Sequence, residues 1–142
     1  MGSKQFCVFG VESLSFGIDV AEVEEVNRRY EMTRIPLAPD SVAGLINLRG
    51  RIVTAIDMRQ RLRLPVLETW KPFHIVAKTR ESSVSLLVDY IGDVIEVSED
   101  AFEAPPDTMR ESTRELIRGL YKLDNWLMLV LNMDRTTAFG AR

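Results

Sequence analysis

The sequence contains one cysteine, one histidine and no long hydrophobic run. A single cysteine, Cys7, excludes a framework of internal disulfides. The longest apolar run near the C-terminal end, residues 126–131, is far shorter than the roughly 20 residues of a membrane-spanning helix. The sequence shows no secretory signal. These absences predict a protein of the reducing cytoplasm that does not insert directly into a membrane.

Residues that carry chemistry are also sparse. His74 and Cys7 lie in two separate apolar strand patterns, so their spacing supports neither a metal cluster nor a Cys-His nucleophile pair. No glycine-rich phosphate loop or Walker pattern is present. We therefore predict no catalytic residue, no metal site and no cofactor, and the sequence favours an enzyme less than any other class of protein.

Charge of neither sign dominates, because 18 lysines and arginines face 21 aspartates and glutamates, for a net charge of -3 and a pI near 5.3. A nucleic-acid partner is disfavoured, since binding to phosphates through counterion release needs many unopposed cations. Five arginines nevertheless crowd one stretch: Arg49, Arg51, Arg59, Arg61 and Arg63. A small nucleic-acid-binding barrel, with these arginines beside Phe6, Phe9 and Trp126, is therefore an alternative that salt-sensitive oligonucleotide binding would reveal.

The most informative stretch is residues 44–59, which read GLINLRGRIVTAIDMR. Two apolar β-prone runs meet at Arg49-Gly50, which predicts a hairpin whose glycine tolerates a positive φ. The turn places Arg49 at an exposed tip, where its guanidinium needs water or a partner. Asp57 ends the second strand and is expected to cap a short helix over residues 58–62. Four residues of these turns and strand ends are assigned to structure: Gly44, Gly50, Gly119 and Asp57.

The rest of the chain is typical of short strands joined by turns. Further strands are predicted at 5–11, 15–20, 73–78, 84–88, 94–97, 116–123 and 126–132. Asp40 or Ser41 is expected to cap a single helical turn before Gly44. Val20, Val23 and Val26 recur every third residue, which favours a helix, whereas their β-branched side chains favour a strand. The residues alone leave that choice open.

The chain also repeats itself. A shift of 75 positions superimposes residues 44–58 on 119–133 without a gap, and Asp57 falls on Asn132, another small polar residue. Earlier positions match at shifts of 67 to 71: Phe6 on Phe73, Asp19 on Asp89 and Glu25 on Glu96. We interpret this as two copies of a five-stranded unit, about 5–63 and 64–138, each curled into a small barrel with a groove between them. The alternative is a chance similarity of hairpins within a single sandwich of eight to ten strands.

Five segments together resemble the CheW-type family of chemotaxis coupling proteins: FGIDVAEVEEV, TRIPLAP, GLINLRGRIVTAIDMR, SLLVDYIGDVIEV and WLMLVLNM. The resemblance runs from Phe6 to Thr137 and treats residues 1–142 as a single CheW-like domain. It implies an all-β fold with a few short helices, made of two SH3-like β-barrel subdomains, and it favours a strand for residues 20–26. Two departures stand out, since Arg51 occupies a position that is more often apolar and Thr54-Ala55 one that often holds proline.

This family is non-catalytic, so the resemblance implies an adaptor. Its expected partners are the regulatory domain of a CheA-type histidine kinase and the cytoplasmic tip of a chemoreceptor, in arrays at the membrane. Arg49 matches the turn arginine of receptor and kinase coupling, Glu25 an acid of the receptor contact, and Val20 and Val23 apolar positions of that face. Within the fold, Arg49 could instead pair with Glu25 or Asp57, and both valines could belong to the core. A CheW-like scaffold of another chemosensory array, controlling motility or pili, is a close alternative.

Overall fold

The computed structural model describes residues 2–27 and 30–138. Its strands are β1 (Ser3–Val11), β2 (Leu14–Asp19), β3 (Val23–Asn27), β4 (Met32–Thr33), β5 (Val42–Leu48), β6 (Arg51–Asp57), β7 (Phe73–Lys78), β8 (Ser83–Val88), β9 (Tyr90–Ser98), β10 (Ile117–Lys122) and β11 (Leu127–Leu131). Three short helices follow strand ends or loops: α1 (Met58–Arg61), α2 (Glu111–Arg114) and α3 (Met133–Thr136). The prediction of an all-β protein with a few short helices is confirmed. Within the described ranges, none of the helices is long and apolar enough to cross a bilayer.

The strands form two sheets. The first sheet has the order β10-β11-β2-β1-β9, and the second has the order β3-β7-β8-β6-β5-β4. Neighbours are antiparallel except β11 with β2 and β6 with β8, which are parallel. The second sheet curls back on itself as a small barrel does, and this curl brings Arg49 and Arg51 at the β5–β6 turn to Glu25 and Glu24 on the edge strand β3.

Each sheet draws on both copies of the repeat. The hairpin β1–β2 lies in a sheet with β9, β10 and β11, whereas the hairpin β7–β8 lies with β3, β4, β5 and β6. The boundary expected near residue 63 therefore separates the copies along the chain but does not separate the sheets. Repeat spacing identifies equivalent strands but contains no information about which hairpin a strand joins, so the exchange was not predictable from it.

Strand register corrects part of the repeat. Asn47 pairs with Ile52 and Lys122 pairs with Leu127, which preserves the predicted shift of 75. In the first hairpins, Phe9 pairs with Phe16 and Ala77 pairs with Val84, so the shift is 68. The expected match of Phe6 with Phe73 at a shift of 67 is therefore wrong by one residue. A one-residue slip in a strand exchanges its two faces, and Phe6 corresponds to His74.

The same register corrects the match of the acidic residues. Cys7 pairs with Val94 in the first sheet, and Ile75 pairs with Val26 in the second. Since Ile75 lies 68 positions after Cys7, Val94 corresponds to Val26, and the residue equivalent to Glu25 is Asp93. The expected equivalence of Glu25 with Glu96 is wrong, because the shift of 68 found in the first hairpins continues into β3, without the insertion that a shift of 71 requires.

Three clusters of buried side chains hold the sheets together. The largest lies where the two sheets meet and includes Phe9, Phe16, Ile56, Ile75 and Leu86. A second cluster fills the curl of the first sheet with Phe6, Val8, Val97, Tyr121, Met128 and Val130. A third fills the second sheet with Ile46, Leu48, Val53, Ala55, Val76 and Leu87. Burying each large apolar side chain contributes about 1.5–3 kcal/mol, so the shared cluster binds the sheets to each other strongly.

Two local expectations needed the tertiary structure. No helix follows Asp40, because Val42 already begins β5 and its N–H donates to Pro39 O at 2.9 Å to close a turn. The helical turn expected there is therefore wrong. Around Val20 both readings hold in part: Val20–Glu22 is a 3-10 turn capped by Asp19, and β3 begins at Val23.

The predicted structural glycine Gly44 lies where another strand crosses closely. A Cβ on Gly44 would stand 2.6 Å from Thr33 O, and one on the equivalent Gly119 would stand 2.4 Å from Glu103 O. Thr33 pairs with Leu45 on β5, the strand of Gly44, and Glu103 pairs with Leu120 on β10, the strand of Gly119. Both copies therefore exclude a side chain for the same steric reason.

Candidate protein-binding site at the β5–β6 hairpin

The turn between β5 and β6 has the geometry that its residues predict. Arg49 and Gly50 form a two-residue loop with φ of 52° and 87°, both in the left-handed region. Such a loop matches the twist of the two strands, and glycine enters it without strain. Asn47 Oδ1 accepts a hydrogen bond from Gly50 N at 2.8 Å and fixes the turn. The side chain of Arg49 is 76% exposed.

Arg49 does not stand alone at this tip. Its Nη2 lies 2.7 Å from Glu25 Oε1, which resolves the choice between Glu25 and Asp57 as an internal partner. Tyr30 donates its hydroxyl proton to Glu25 Oε2. The hydrogen bond from Tyr30, and then the charge of Arg49, lower the pKa of Glu25 below its ordinary value. Glu25 is therefore an ionised, oriented acceptor that holds the guanidinium.

A second ion pair lies beside the first. Arg51 Nη2 lies 2.8 Å from Glu24 Oε1, and Ser83 donates to Glu24 Oε2 at 2.6 Å. These two contacts lower the pKa of Glu24. The sequence analysis missed this pair and the role of Tyr30. The signal was present in the patterns Arg-Gly-Arg and Glu-Glu, but no spacing shows that two distant segments meet.

The geometry makes the arginines the outer layer of the site. The side chains of Arg49 and Arg51 are 76% and 55% exposed, whereas their carboxylate partners are about 20% exposed. Exposed ion pairs contribute little to folding stability. Each guanidinium has five N–H donors, more than one carboxylate can use. The pair of arginines can therefore bind acceptors of a partner while its own glutamates hold it in place.

The apolar residues near this site are arranged differently from the expectation. Val20 and Val23 are half-buried and pack against the core cluster between the sheets. Val26 and Ile52 are instead 44% and 64% exposed. Burial alternates along β3, so Val26 lies on the face opposite Val23, and alternation in the sequence does not show which of the two faces is exposed. A role of Val20 and Val23 in receptor binding stays a prediction.

Asp57 acts as the predicted cap. Its Oδ1 accepts from Gln60 N at 3.0 Å at the start of α1, and burial raises the pKa of its carboxyl. Asn132 makes the same bond to Arg135 N at 3.1 Å in the second copy. Asp57 therefore supports the helix and takes no part in the exposed tip.

The five clustered arginines do not form one basic platform. Arg59 is 4% exposed and donates to Asp89 Oδ2 at 2.8 Å, to Glu12 Oε1 and to Pro65 O. Arg61 donates from Nε to the carbonyl oxygen of Thr136 at 2.9 Å. Because the guanidinium groups of Arg59 and Arg61 bond to acceptors within the fold, they do not contribute to a basic surface for nucleic acid, which disfavours the nucleic-acid alternative.

His74 and Cys7 are core residues. Nδ1 of His74 lies 2.9 Å from Ser85 Oγ, and burial lowers the pKa of the imidazole. Burial raises the pKa of the Cys7 thiol, which disfavours the reactive thiolate. In the part of the chain that the structure describes, no three His, Cys, Asp or Glu residues are arranged to hold a metal ion.

Known proteins share both the sequence and the architecture. Residues 5–138 match the family model of the CheW-like domain. The chain is 32% identical over 132 residues to the "Chemotaxis protein CheW" of Bacillus subtilis, covering 92% of this chain and 85% of that protein. It is 27% identical over 134 residues to the "Probable chemotaxis protein CheW" of Rhizobium etli, covering 94% and 86%.

A solved structure extends this likeness to the fold. The crystal structure of the scaffolding protein TtCheW from Thermoanaerobacter tengcongensis superimposes with a TM-score of 0.89 at 25% identity, over 99% of this chain and 97% of that one. The exchanged hairpins, the paired sheets and the match over residues 5–138 lead to one conclusion: the chain belongs to the CheW-like domain family.

Proposed function

We propose that this protein is a non-catalytic chemosensory adaptor that joins the regulatory domain of a CheA-type histidine kinase to the cytoplasmic tip of a chemoreceptor. Family membership supports this, since relatives are named chemotaxis proteins and a scaffolding protein. The observation that supports a binding role most directly is the exposed Arg49, held at a left-handed turn by Glu25. A long cation in so constrained a place is suited to recognition.

The exposed residues suit a helical partner. An amphipathic helical hairpin inserts its apolar side into a groove, while flanking charges set its register. Val26 and Ile52 provide exposed apolar surface, and Arg49 with Arg51 provide directed donors. Arginine is frequent among residues that dominate binding energy. The adaptor would act at membrane-associated receptor arrays through its partners, without inserting into the bilayer itself.

The test is a binding titration against a receptor-tip fragment and a kinase regulatory domain, separately and together. Arg49→Ala should weaken receptor binding by roughly 2 kcal/mol, about thirtyfold, because it removes a central interface arginine. Arg80→Ala is a matched control, since Arg80 is 83% exposed and also pairs with an acid, Asp134 at 3.6 Å.

Arg80→Ala should bind as the wild type does. Equal affinities of wild type and Arg49→Ala would remove Arg49 from the interface while leaving the adaptor function open to other surfaces. A wild-type protein that bound neither fragment would contradict the proposed function as a whole.

A further inference from the structure

A cleft of about 640 Å³ opens beside the start of β7, on the second sheet. Its lining residues are Tyr30, Glu31, Met32, Lys71, Pro72, Phe73 and His74. This volume falls within the roughly 300–1,000 Å³ of small-molecule sites. Apolar side chains form much of its walls, and the two rim charges, Glu31 and Lys71, have opposite sign. The cleft therefore suits an uncharged, mainly apolar occupant.

A buried polar group faces this cleft. His74 is 3% exposed, and its Nδ1 contacts Ser85 Oγ, whereas its Nε2 has no hydrogen-bond partner among the described residues. Among the described residues, one side-chain polar atom is both fully covered and without a hydrogen-bond partner, and that atom is Ser112 Oγ. Nε2 is not such an atom, and His74 lines the cleft. An apolar occupant without a polar group would cover this nitrogen and leave it unpaired.

The other copy of the repeat shows that the fold does not require a histidine here. Phe6 occupies the equivalent position and also lines a cleft, of about 550 Å³. Its ring packs on Tyr121 at a centroid distance of 5.7 Å. An apolar ring thus satisfies the packing at this position. The imidazole of His74 adds a hydrogen-bonding nitrogen that packing alone does not explain.

We propose that the cleft beside His74 binds a phenol ring whose hydroxyl bonds to Nε2. Tyr30 stands edge-on to the imidazole, with centroids 5.2 Å apart at 84°, and lines the cleft together with Met32, Pro72 and Phe73. The Ser85 hydroxyl can donate to Nδ1 or accept from it, so Nε2 can be either donor or acceptor. A phenol hydroxyl serves both cases, whereas an indole N–H serves one.

The cleft is connected to the hairpin tip through one residue. Tyr30 lines the cleft and donates its hydroxyl proton to Glu25, which holds Arg49. A bound ring would thus contact the residue that orients the ion pair. The inference itself does not depend on the proposed adaptor function, because it concerns binding to the isolated chain. The phenol can come from a free small molecule or from a tyrosine side chain.

The experiment uses the single histidine of the chain as its probe. In the full-length, ¹⁵N-labelled protein without a histidine tag, p-cresol is titrated while the imidazole ¹⁵N resonances are recorded. We expect a saturable shift of Nε2 with a dissociation constant on the order of 1 mM. Toluene, which lacks only the hydroxyl, should bind about fivefold more weakly. N-acetyl-tyrosinamide distinguishes the sources: binding of both phenols supports a tyrosine side chain, and binding of p-cresol alone supports a free phenol.

The double variant His74→Phe with Ser85→Ala removes both polar partners and copies the phenylalanine of the first copy. Saturation transfer to the ligand methyl group should show that this variant no longer prefers p-cresol to toluene. The wild-type comparison remains decisive even if the variant fails to fold. Absence of a saturable imidazole shift, or equal affinity of the wild type for p-cresol and toluene, would overturn the proposal.

Discussion

The two hairpin tips of the repeat share a backbone plan and differ in chemistry. At the first tip, Arg49 and Arg51 pair with Glu25 and Glu24. The second tip has Asp124 at the position of Arg49 and Trp126 at the position of Arg51, and Asp93 stands where the first copy has Glu25. Two acids replace an arginine and its acceptor, so the ion pair of the first tip has no counterpart in the second.

The backbone of the two tips differs as well. Arg49 and Gly50 both have a positive φ, whereas neither Asp124 nor Asn125 does. The second turn is closed by a bond from Leu123 N to Trp126 O at 2.8 Å. A shared strand register therefore fixes where a tip lies, and the few residues of the turn decide what it presents. In this chain the first tip presents two arginines, whereas the second presents an aspartate and a tryptophan at the same positions.

The short helices α1 and α3 also differ between the two copies. Arg59 on α1 is almost fully buried and bonds to Asp89 and Glu12, while Asp134 at the equivalent position of α3 is 51% exposed. In the first copy, Arg59 connects the turn between β1 and β2 to the end of β8 through its ion pairs with Glu12 and Asp89. The second copy leaves this position at the surface. Equivalent places in a repeat thus diverge where contacts to neighbouring segments differ.

The comparison of Arg59 with Asp134 should yield the largest effect. Arg59→Ala leaves Asp89 and Glu12 without their buried cation, so we expect a loss of about 3 kcal/mol in the free energy of unfolding. Asp134→Ala, at an exposed position, should change it by less than about 0.5 kcal/mol. Chemical denaturation of both variants measures the difference. Similar losses would show that the two positions are not as different as their burial indicates.

The glycine pair tests the similarity of the copies. Gly44→Ala and Gly119→Ala each place a Cβ within 2.6 Å of a backbone carbonyl oxygen, and backbone moves less easily than a side chain. We expect each variant to lose roughly 1–3 kcal/mol of stability, as overpacked cores do. Gly50→Ala is the control, because its Cβ would meet no atom within 4 Å and only its positive φ opposes alanine. An unchanged free energy of unfolding for either Gly44→Ala or Gly119→Ala would show that the two copies do not share this steric constraint.

The two helix caps differ in charge. Burial raises the pKa of Asp57, so the folded state binds its proton more tightly than the unfolded chain, whose aspartate titrates near 3.8. Stability from this group is therefore present below pH 3.8 and is lost as the pH rises through the raised folded pKa. Asp57→Asn copies the neutral cap of Asn132 and should remove this loss of stability with rising pH. Thermal melts across pH 3 to 7 measure it, with Asn132→Ala as the control that loses a cap and keeps the pH dependence.

The smallest effect is expected at the second tip. Asp124→Arg introduces the residue of the first tip at an exposed turn, where Asp93 can meet it as Glu25 meets Arg49. Stability should change by less than about 0.5 kcal/mol, because surface pairs contribute little. Thermal melts give that value, with Asp124→Ala as the uncharged control. A large loss for both variants would show that Asp124 has a structural role in its own turn.

Local patterns predicted most of the elements. The hairpin around Arg49-Gly50, the cap at Asp57 and the shift of 75 between second hairpins all follow from turn chemistry and alternation, which act over a few residues. The shift of the first hairpins was misjudged by one residue, because apolar runs such as Phe6 to Phe9 match several registers equally well. Hydrogen bonds between strands define the register that such runs leave open.

The candidate site was predicted less completely. Its outer residue, Arg49, could be identified because a cation in a tight exposed turn is unusual. Its inner layer could not, since Ser83 lies 59 residues from Glu24 along the chain and approaches it only in the folded second sheet. The exposed apolar residues Val26 and Ile52 were also missed, because alternation along a strand does not show which of its two faces is exposed.

The sequence by itself determined the all-β class, the duplicated unit and the arginine at the tip, because turn preferences and alternation are local. The tertiary structure decided which hairpin joins which sheet, which acid holds Arg49 and that His74 faces a cleft. Those results depend on contacts between residues far apart in the chain. Such contacts are selected by packing and hydrogen bonding of the whole fold, and no short stretch of residues contains that information.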